Sequence, residues 1–195
     1  MALPSGYTEL AYLKFTGTQY IELPFIANQN TRVVMDCQYT GTLDEGCAFQ
    51  FGSRISASNR AFGPALVPDQ VFYSYGGSYA FADYADLYER MVIDANKNVC
   101  TFTGSQVVTI TLAAATFTTP SNLLIGALYQ NGTILTGSMA WNGLMWHTYV
   151  YDNDVLAYHL VPALRNSDGV AGLYDIVSGV FYTNAGTGDF LHNLS

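Results

Sequence analysis

The chain has 195 residues, a formal net charge of −8 at pH 7, half of its residues hydrophobic and only 11% charged. That supplies material for one sizeable core and argues against disorder, while seven scattered Lys and Arg residues leave no basic stripe to neutralise phosphates, so nucleic-acid binding is disfavoured. No apolar run approaches the ~18 residues of a spanning helix, and Met1-Ala2-Leu3-Pro4-Ser5-Gly6 lacks the charged and apolar regions of an export signal. A single domain over residues 1–195, with neither membrane nor export address, is the expectation.

Along the chain, short runs rich in Tyr, Phe, Val and Thr are bounded by Gly, Asn, Asp or Pro, the pattern of strands joined by tight turns. Residues 19–23 open the series. The clearest alternation follows, with Val33, Met35, Cys37 and Tyr39 on one face and Arg32, Val34, Asp36 and Gln38 on the other. If residues 41–46 form a hairpin loop, Cys37 falls opposite Phe49 and Cys47 opposite Tyr39, with both thiols facing inward. Further strands are expected at 61–67, 71–75, 87–94, 99–103, 107–112, 123–129, 144–151, 155–161, 172–176 and 180–182. Asn96-Lys97-Asn98, Asp152-Asn153-Asp154 and Ser178-Gly179 supply turn chemistry between neighbouring runs.

One stretch, residues 80–90, is compatible with a helical turn, and no amphipathic helix separates the strands. A parallel α/β sheet is thereby excluded, and the absence of a repeat removes a propeller. The fold class expected is all-β, a two-sheet antiparallel jelly-roll sandwich of the concanavalin A-like lectin and glucanase type. Cys37, Cys47 and Cys100 are odd in number and lack CxxC spacing, so three unbridged thiols are expected.

Candidate chemistry is sparse. Jelly-roll glucanases need two carboxylates on one strand face about 5 Å apart, whereas Asp83, Asp86 and Glu89 are spaced by three and scatter over both faces of a strand. Gly76-Gly77-Ser78-Tyr79-Ala80 lacks the final glycine of a nucleophile elbow, and His147, His159 and His192 show no zinc spacing. The expectation is therefore a protein without catalytic residues. Asp152, Asn153 and Asp154 offer oxygens suited to Ca²⁺, but a site needs six to eight ligands and a turn capped by its own Asx side chains is favoured. Sugar recognition by sandwiches uses aromatic faces, and the candidates for it are Tyr73, Tyr75 and Tyr79 around Gly76-Gly77, and Trp146 and Tyr151 in a second aromatic segment. In residues 144–151, strict alternation puts Leu144, Trp146 and Val150 on one face and Met145, Tyr149 and Tyr151 on the other; two apolar faces predict a homo-oligomer or an anchored subunit.

Several segments carry a family likeness. They are Leu3-Pro4-Ser5-Gly6-Tyr7-Thr8-Glu9-Leu10, Gly17-Thr18-Gln19-Tyr20-Ile21, Leu124-Ile125-Gly126-Ala127, and a C-terminal run that includes Arg165-Asn166-Ser167-Asp168-Gly169-Val170, Gly172-Leu173-Tyr174-Asp175 and Ser178-Gly179-Val180-Phe181-Tyr182-Thr183-Asn184-Ala185-Gly186-Thr187-Gly188. The chain resembles the laminin-G-like, concanavalin A-like domains encoded by bacteriophages and bacteria of the gut. It departs from their pattern at Asp154, where Gly is usual after Asp-Asn, and at Ala163, where Cys is frequent. The resemblance implies a non-enzymatic virion surface protein, a capsid decoration, head fibre or tail fibre made in the bacterial cytoplasm, with host or mucosal glycans as ligands. The alternative is a bacterial carbohydrate-binding or adhesin module.

Overall fold

The structure is a computed structural model that describes residues 3–43, 46–56, 59 and 61–194. Its strands are β1 (Tyr7–Thr16), β2 (Ile21–Asn28), β3 (Thr31–Tyr39), β4 (Ala48–Phe49), β5 (Phe51–Arg54), β6 (Phe62–Val67), β7 (Gln70–Tyr75), β8 (Ser78–Asp83), β9 (Arg90–Asn96) and β10 (Val99–Thr103). They continue with β11 (Val107–Thr111), β12 (Thr118–Ile125), β13 (Leu128–Gln130), β14 (Thr133–Leu135), β15 (Asn142–Asp152), β16 (Val155–Arg165), β17 (Val170–Asp175), β18 (Phe181–Tyr182) and β19 (Leu191–Leu194). A single 3₁₀ turn, Gly137–Met139, is the one helical element among the described residues. Residues 80–90 form the end of β8, a loop and the start of β9, so the helical turn allowed there does not form.

The strands build a jelly-roll sandwich, as the alternation predicted. The main sheet runs β11-β10-β9-β3-β15-β1-β16-β17-β18 with β19 beside β1, and the second runs β14-β13-β5-β6-β7-β8, with β12 joining β2 and β5 and β4 lying on β6. Among the described residues the strand ladders are antiparallel except that between β13 and β5, and an isolated parallel bridge joins Phe49 to Ala140. Between the sheets lies one core that includes Leu13, Phe15, Phe51, Phe62, Tyr73, Phe102 and Trp141. In β3 the predicted face is the buried one: Val33, Met35, Cys37 and Tyr39 point inward.

The expected hairpin through residues 41–46 is overturned. β3 is central in the main sheet, with Cys37 opposite Met145 on one side and Met91 on the other, so both its edges are satisfied by other strands. After Tyr39 the chain crosses to the second sheet, where Phe49 pairs with Ala65. Cys47 then packs against the outer cluster of Phe49, Ala65, Phe72 and Leu128, away from Cys37. All three cysteines are unbridged.

β15 departs from strict alternation. Met145 lies opposite Cys37 and His147 opposite Asp36, so Trp146 is the extra residue of a β-bulge. Beyond it the phase is reset, and Met145, Thr148 and Val150 are buried while Trp146, His147, Tyr149 and Tyr151 are half-buried on the outer face. The grouping read from the sequence is therefore corrected, though both faces do carry large apolar side chains: Met145 and Val150 belong to the core, and Tyr149 and Tyr151 share the outer face with Trp146.

Candidate functional site

The hairpin of β7 and β8 turns through Gly76 and Gly77, both at positive φ (54° and 91°), the left-handed geometry of a two-residue turn. That turn pairs Tyr75 with Ser78 and Ser74 with Tyr79. Paired residues share a sheet face. Tyr79 thus joins the outer face with Ser74, while Tyr73 and Tyr75 face the core.

Tyr73 is fully buried and donates its hydroxyl to the Lys97 carbonyl at 2.6 Å. Tyr75 is nearly as buried, donates to the Gln29 carbonyl at 2.9 Å and meets Phe117 edge-on at 4.9 Å. Neither ring can offer a face to a ligand, which corrects the sequence expectation for this pair. Their strand lies between β6 and β8, covered by the main sheet on one side and by the outer rings on the other.

Trp146 and Tyr151 each carry a guanidinium. Arg90 lies 3.9 Å over the Trp146 ring, held by hydrogen bonds of 2.8 and 2.7 Å to Asp36. Arg32 lies 5.2 Å over the Tyr151 ring and makes the equivalent pair of bonds to Asp94. These two rings belong to surface ion-pair columns on the main sheet, remote in the fold from the tyrosines of β7 and β8.

Of the five predicted residues, Tyr79 alone is an exposed side chain, at the end of an aromatic row. Phe49, Ala65, Phe72 and Phe81 line up across β4, β6, β7 and β8 in one row of the outer face. Phe72 touches Phe49 at 6.0 Å, Phe81 at 5.0 Å and Tyr79 at 5.9 Å between centroids, and Tyr79 and Phe81 are 48% and 45% exposed. Beside the row, Cys47, Phe49, Arg54, Val67, Phe72 and Phe81 enclose a small cleft of about 90 Å³. Arg54 is nearly buried there, 5.4 Å over the Phe49 ring, and donates to Gln130 at 2.6 Å. At the other rim Gln70 donates to the Asp83 carboxylate at 2.9 Å, leaving that carboxylate further lone pairs. A stacking surface with hydrogen-bonding groups at its margin suits an amphipathic ring. The sequence did not mark Phe49, Phe72, Phe81 or Arg54, since the row gathers strands distant in sequence. The Gly76-Gly77 hairpin signal, carried through to its register, would have turned Tyr79 outward.

The acidic residues are occupied elsewhere. Glu89 accepts from the Ser105 amide and hydroxyl at 2.7 and 2.9 Å and from the Tyr84 hydroxyl at 3.0 Å, and Asp86 caps the Tyr88 amide at 3.0 Å. Asn153 and Asp154, with φ of 49° and 66°, form the tight turn joining β15 to β16, and Asp154 receives Lys97 at 2.8 Å. Among the described residues no cluster of three His, Cys, Asp or Glu side chains is placed to hold a metal ion. His147, Tyr149 and His159 stack on the outer face of the main sheet, with His159 4.3 Å from Tyr149 and 5.7 Å from His147. Burial, and then the neighbouring His147, push the His159 imidazole below its ordinary pKa.

No protein-family model matches the chain, and no curated protein matches it in sequence. Among solved structures, it is similar to the crystal structure of a "putative carbohydrate binding protein" from Bacteroides ovatus, with a TM-score of 0.61 and 10% identity over 95% of this chain. The likeness is one of fold. This chain spans 60% of the length of that protein, and at 10% identity no residue of the aromatic row is carried across.

Proposed function

We propose that the protein is a carbohydrate-binding module that holds a saccharide against the rings of Tyr79 and Phe81. The observation that carries this reading is the half-exposed pair of rings set on Phe72 and Phe49, with Arg54, Gln70 and Asp83 at its margins. Support comes also from the Bacteroides structure of the same fold, which bears the description of a carbohydrate binder. Binding without turnover is part of the proposal, because Asp86 and Glu89 are engaged in loop structure and provide no carboxylate pair.

A glycan array tests it. The protein is expected to retain at least one class of saccharide, and the double variant Tyr79→Ala, Phe81→Ala is expected to lose roughly tenfold or more in affinity, since each ring contact is worth ~0.5–1.5 kcal/mol. Unchanged binding by that variant, or no binding by the native protein, overturns the reading. A reducing-sugar assay on the retained glycan is expected to show no release.

The finer proposal rests on the sequence resemblance alone: the module works on the surface of a bacteriophage virion, as a homo-oligomer or anchored to other virion proteins, in contact with host or mucosal glycans. Affinity for purified capsid or tail components supports it, and a free bacterial adhesin is the outcome if none is found.

A further inference from the structure

A sizeable cavity lies away from the aromatic row. It measures about 630 Å³, within the roughly 300–1,000 Å³ of small-molecule sites, and is formed by the turn between β16 and β17, the start of β17, the segment after β18 and His192 of β19. In the main sheet β17 and β18 are at the opposite end from β11, and β8 of the aromatic row packs beside β11. The cavity and the row are therefore on opposite flanks of the sandwich.

Its walls are held in place by the fold. Asn184 donates to the Gly188 carbonyl at 2.6 Å and accepts from the Gly186 and Tyr20 amides at 2.8 and 3.1 Å. Thr18 and Thr187 exchange two further bonds of 2.9 and 3.1 Å, and Gln19 donates to the Asp189 carbonyl at 3.1 Å. Gly186 is required here: a Cβ would stand 2.2 Å from the Thr18 carbonyl oxygen. Across the cavity Arg165 is bound to Asp168 at 2.7 Å and lies 5.2 Å over Phe181.

Against these committed groups, the side chains of Asp189, His192 and Thr183 make no hydrogen bond among the described residues, and all three line the cavity. The lining also includes Phe190, whose ring is buried against Phe15 at 4.8 Å, and the half-buried Val170 and Ala171. A carboxylate, an imidazole and a hydroxyl beside small apolar side chains match a ring with a C–H face and adjacent hydroxyls. A carboxylate accepts from two neighbouring hydroxyls, whereas its charge repels an acidic ligand. The one cation of the lining, Arg165, is neutralised by Asp168. We propose that this cavity is a second saccharide site, selective for neutral over acidic sugars, and that the protein holds two glycan segments on opposite flanks of one chain. The saccharide class rests on the functional reading above; the existence of the site rests on the cavity.

Amide and methyl NMR on the full chain tests it, with maltotriose, cellotriose, xylotriose, chitotriose and N-acetyllactosamine as neutral probes and a trigalacturonide as the acidic one. A neutral probe is expected to shift the amides of Gly186, Gly188 and Asp189, to do so equally in Tyr79→Ala, Phe81→Ala, and to lose those shifts at least tenfold in affinity in Asp189→Ala and in His192→Ala. The trigalacturonide is expected to leave them unmoved. Shifts confined to the aromatic row overturn the second site and leave the first standing. Shifts confined to the cavity overturn the first and support the second. A probe-independent silence at Gly186, Gly188 and Asp189, or preference for the acidic probe, overturns the inference.

Discussion

Gly126 shows how single positions hold this sandwich to its geometry. Its φ is 88°, and a Cβ there would meet the Phe15 ring at 2.4 Å, so Gly126→Ala adds both backbone strain and overpacking. A loss of ~1–3 kcal/mol in urea denaturation is expected. The thiols differ in the same residue-by-residue way. Burial pushes Cys37 and Cys100 well above the ordinary thiol range and shields them, whereas Cys47 is half-buried on the outer face. Iodoacetamide is expected to modify Cys47 alone in the native protein, and all three cysteines after denaturation; mass spectrometry reads both counts. His159 has a pH signature. Because burial depresses its pKa, with His147 also opposing its charge and Asp175 favouring it, the unfolded chain takes the proton more readily. Its contribution is full above the ordinary histidine value of about 6.5 and is lost as the pH falls through that value toward the folded one. Thermal melts are expected to weaken from pH 7.5 to 5.5, and His159→Gln to flatten that decline.

Tight turns and one bulge decide which side chains each strand presents. The β15–β16 hairpin places Asp154 at φ 66°, where a residue with a Cβ is strained and Gly is not. Asp154→Gly relieves that strain and loses a surface pair to Lys97, a pair worth little; a net gain of ~0.5 kcal/mol in denaturant midpoint analysis is expected. Strand existence was legible from alternation, and in β3 the buried face was legible as well. The Trp146 bulge was not, because an extra residue leaves no mark in a pattern read one strand at a time. Nor was the crossing after Tyr39, which depends on β9 and β15 taking both edges of β3. The candidate site followed the same division: Tyr79 was found from its own segment, while Phe81 was missed although it follows two residues later, and Phe49 and Arg54 arrive from other strands.

At the level of the whole molecule, the edges of the two sheets are unequal. β2 carries Pro24, and β14 and β18 are three and two residues long, all devices that discourage pairing with another chain. β11, with the sequence Val-Val-Thr-Ile-Thr, and the charge-poor β8 lie side by side without such protection. Sedimentation is expected to show species larger than the 21.3 kDa chain, and Val107→Lys with Thr109→Lys on β11 to return them to monomer. One pairing sets the order in which all of this forms. β19 lies antiparallel to β1, with Leu13 opposite His192, and the segment before β19 bonds to Thr18 and Tyr20. The pairing of β1 is therefore complete only once β19, far along the chain, is in place. Loop-closure entropy must be met before that contact is rewarded, so folding is late and slow, in the millisecond-to-second range of sandwiches. Until the second sheet packs across it, the apolar face of β1, with Leu10, Leu13 and Phe15, is exposed.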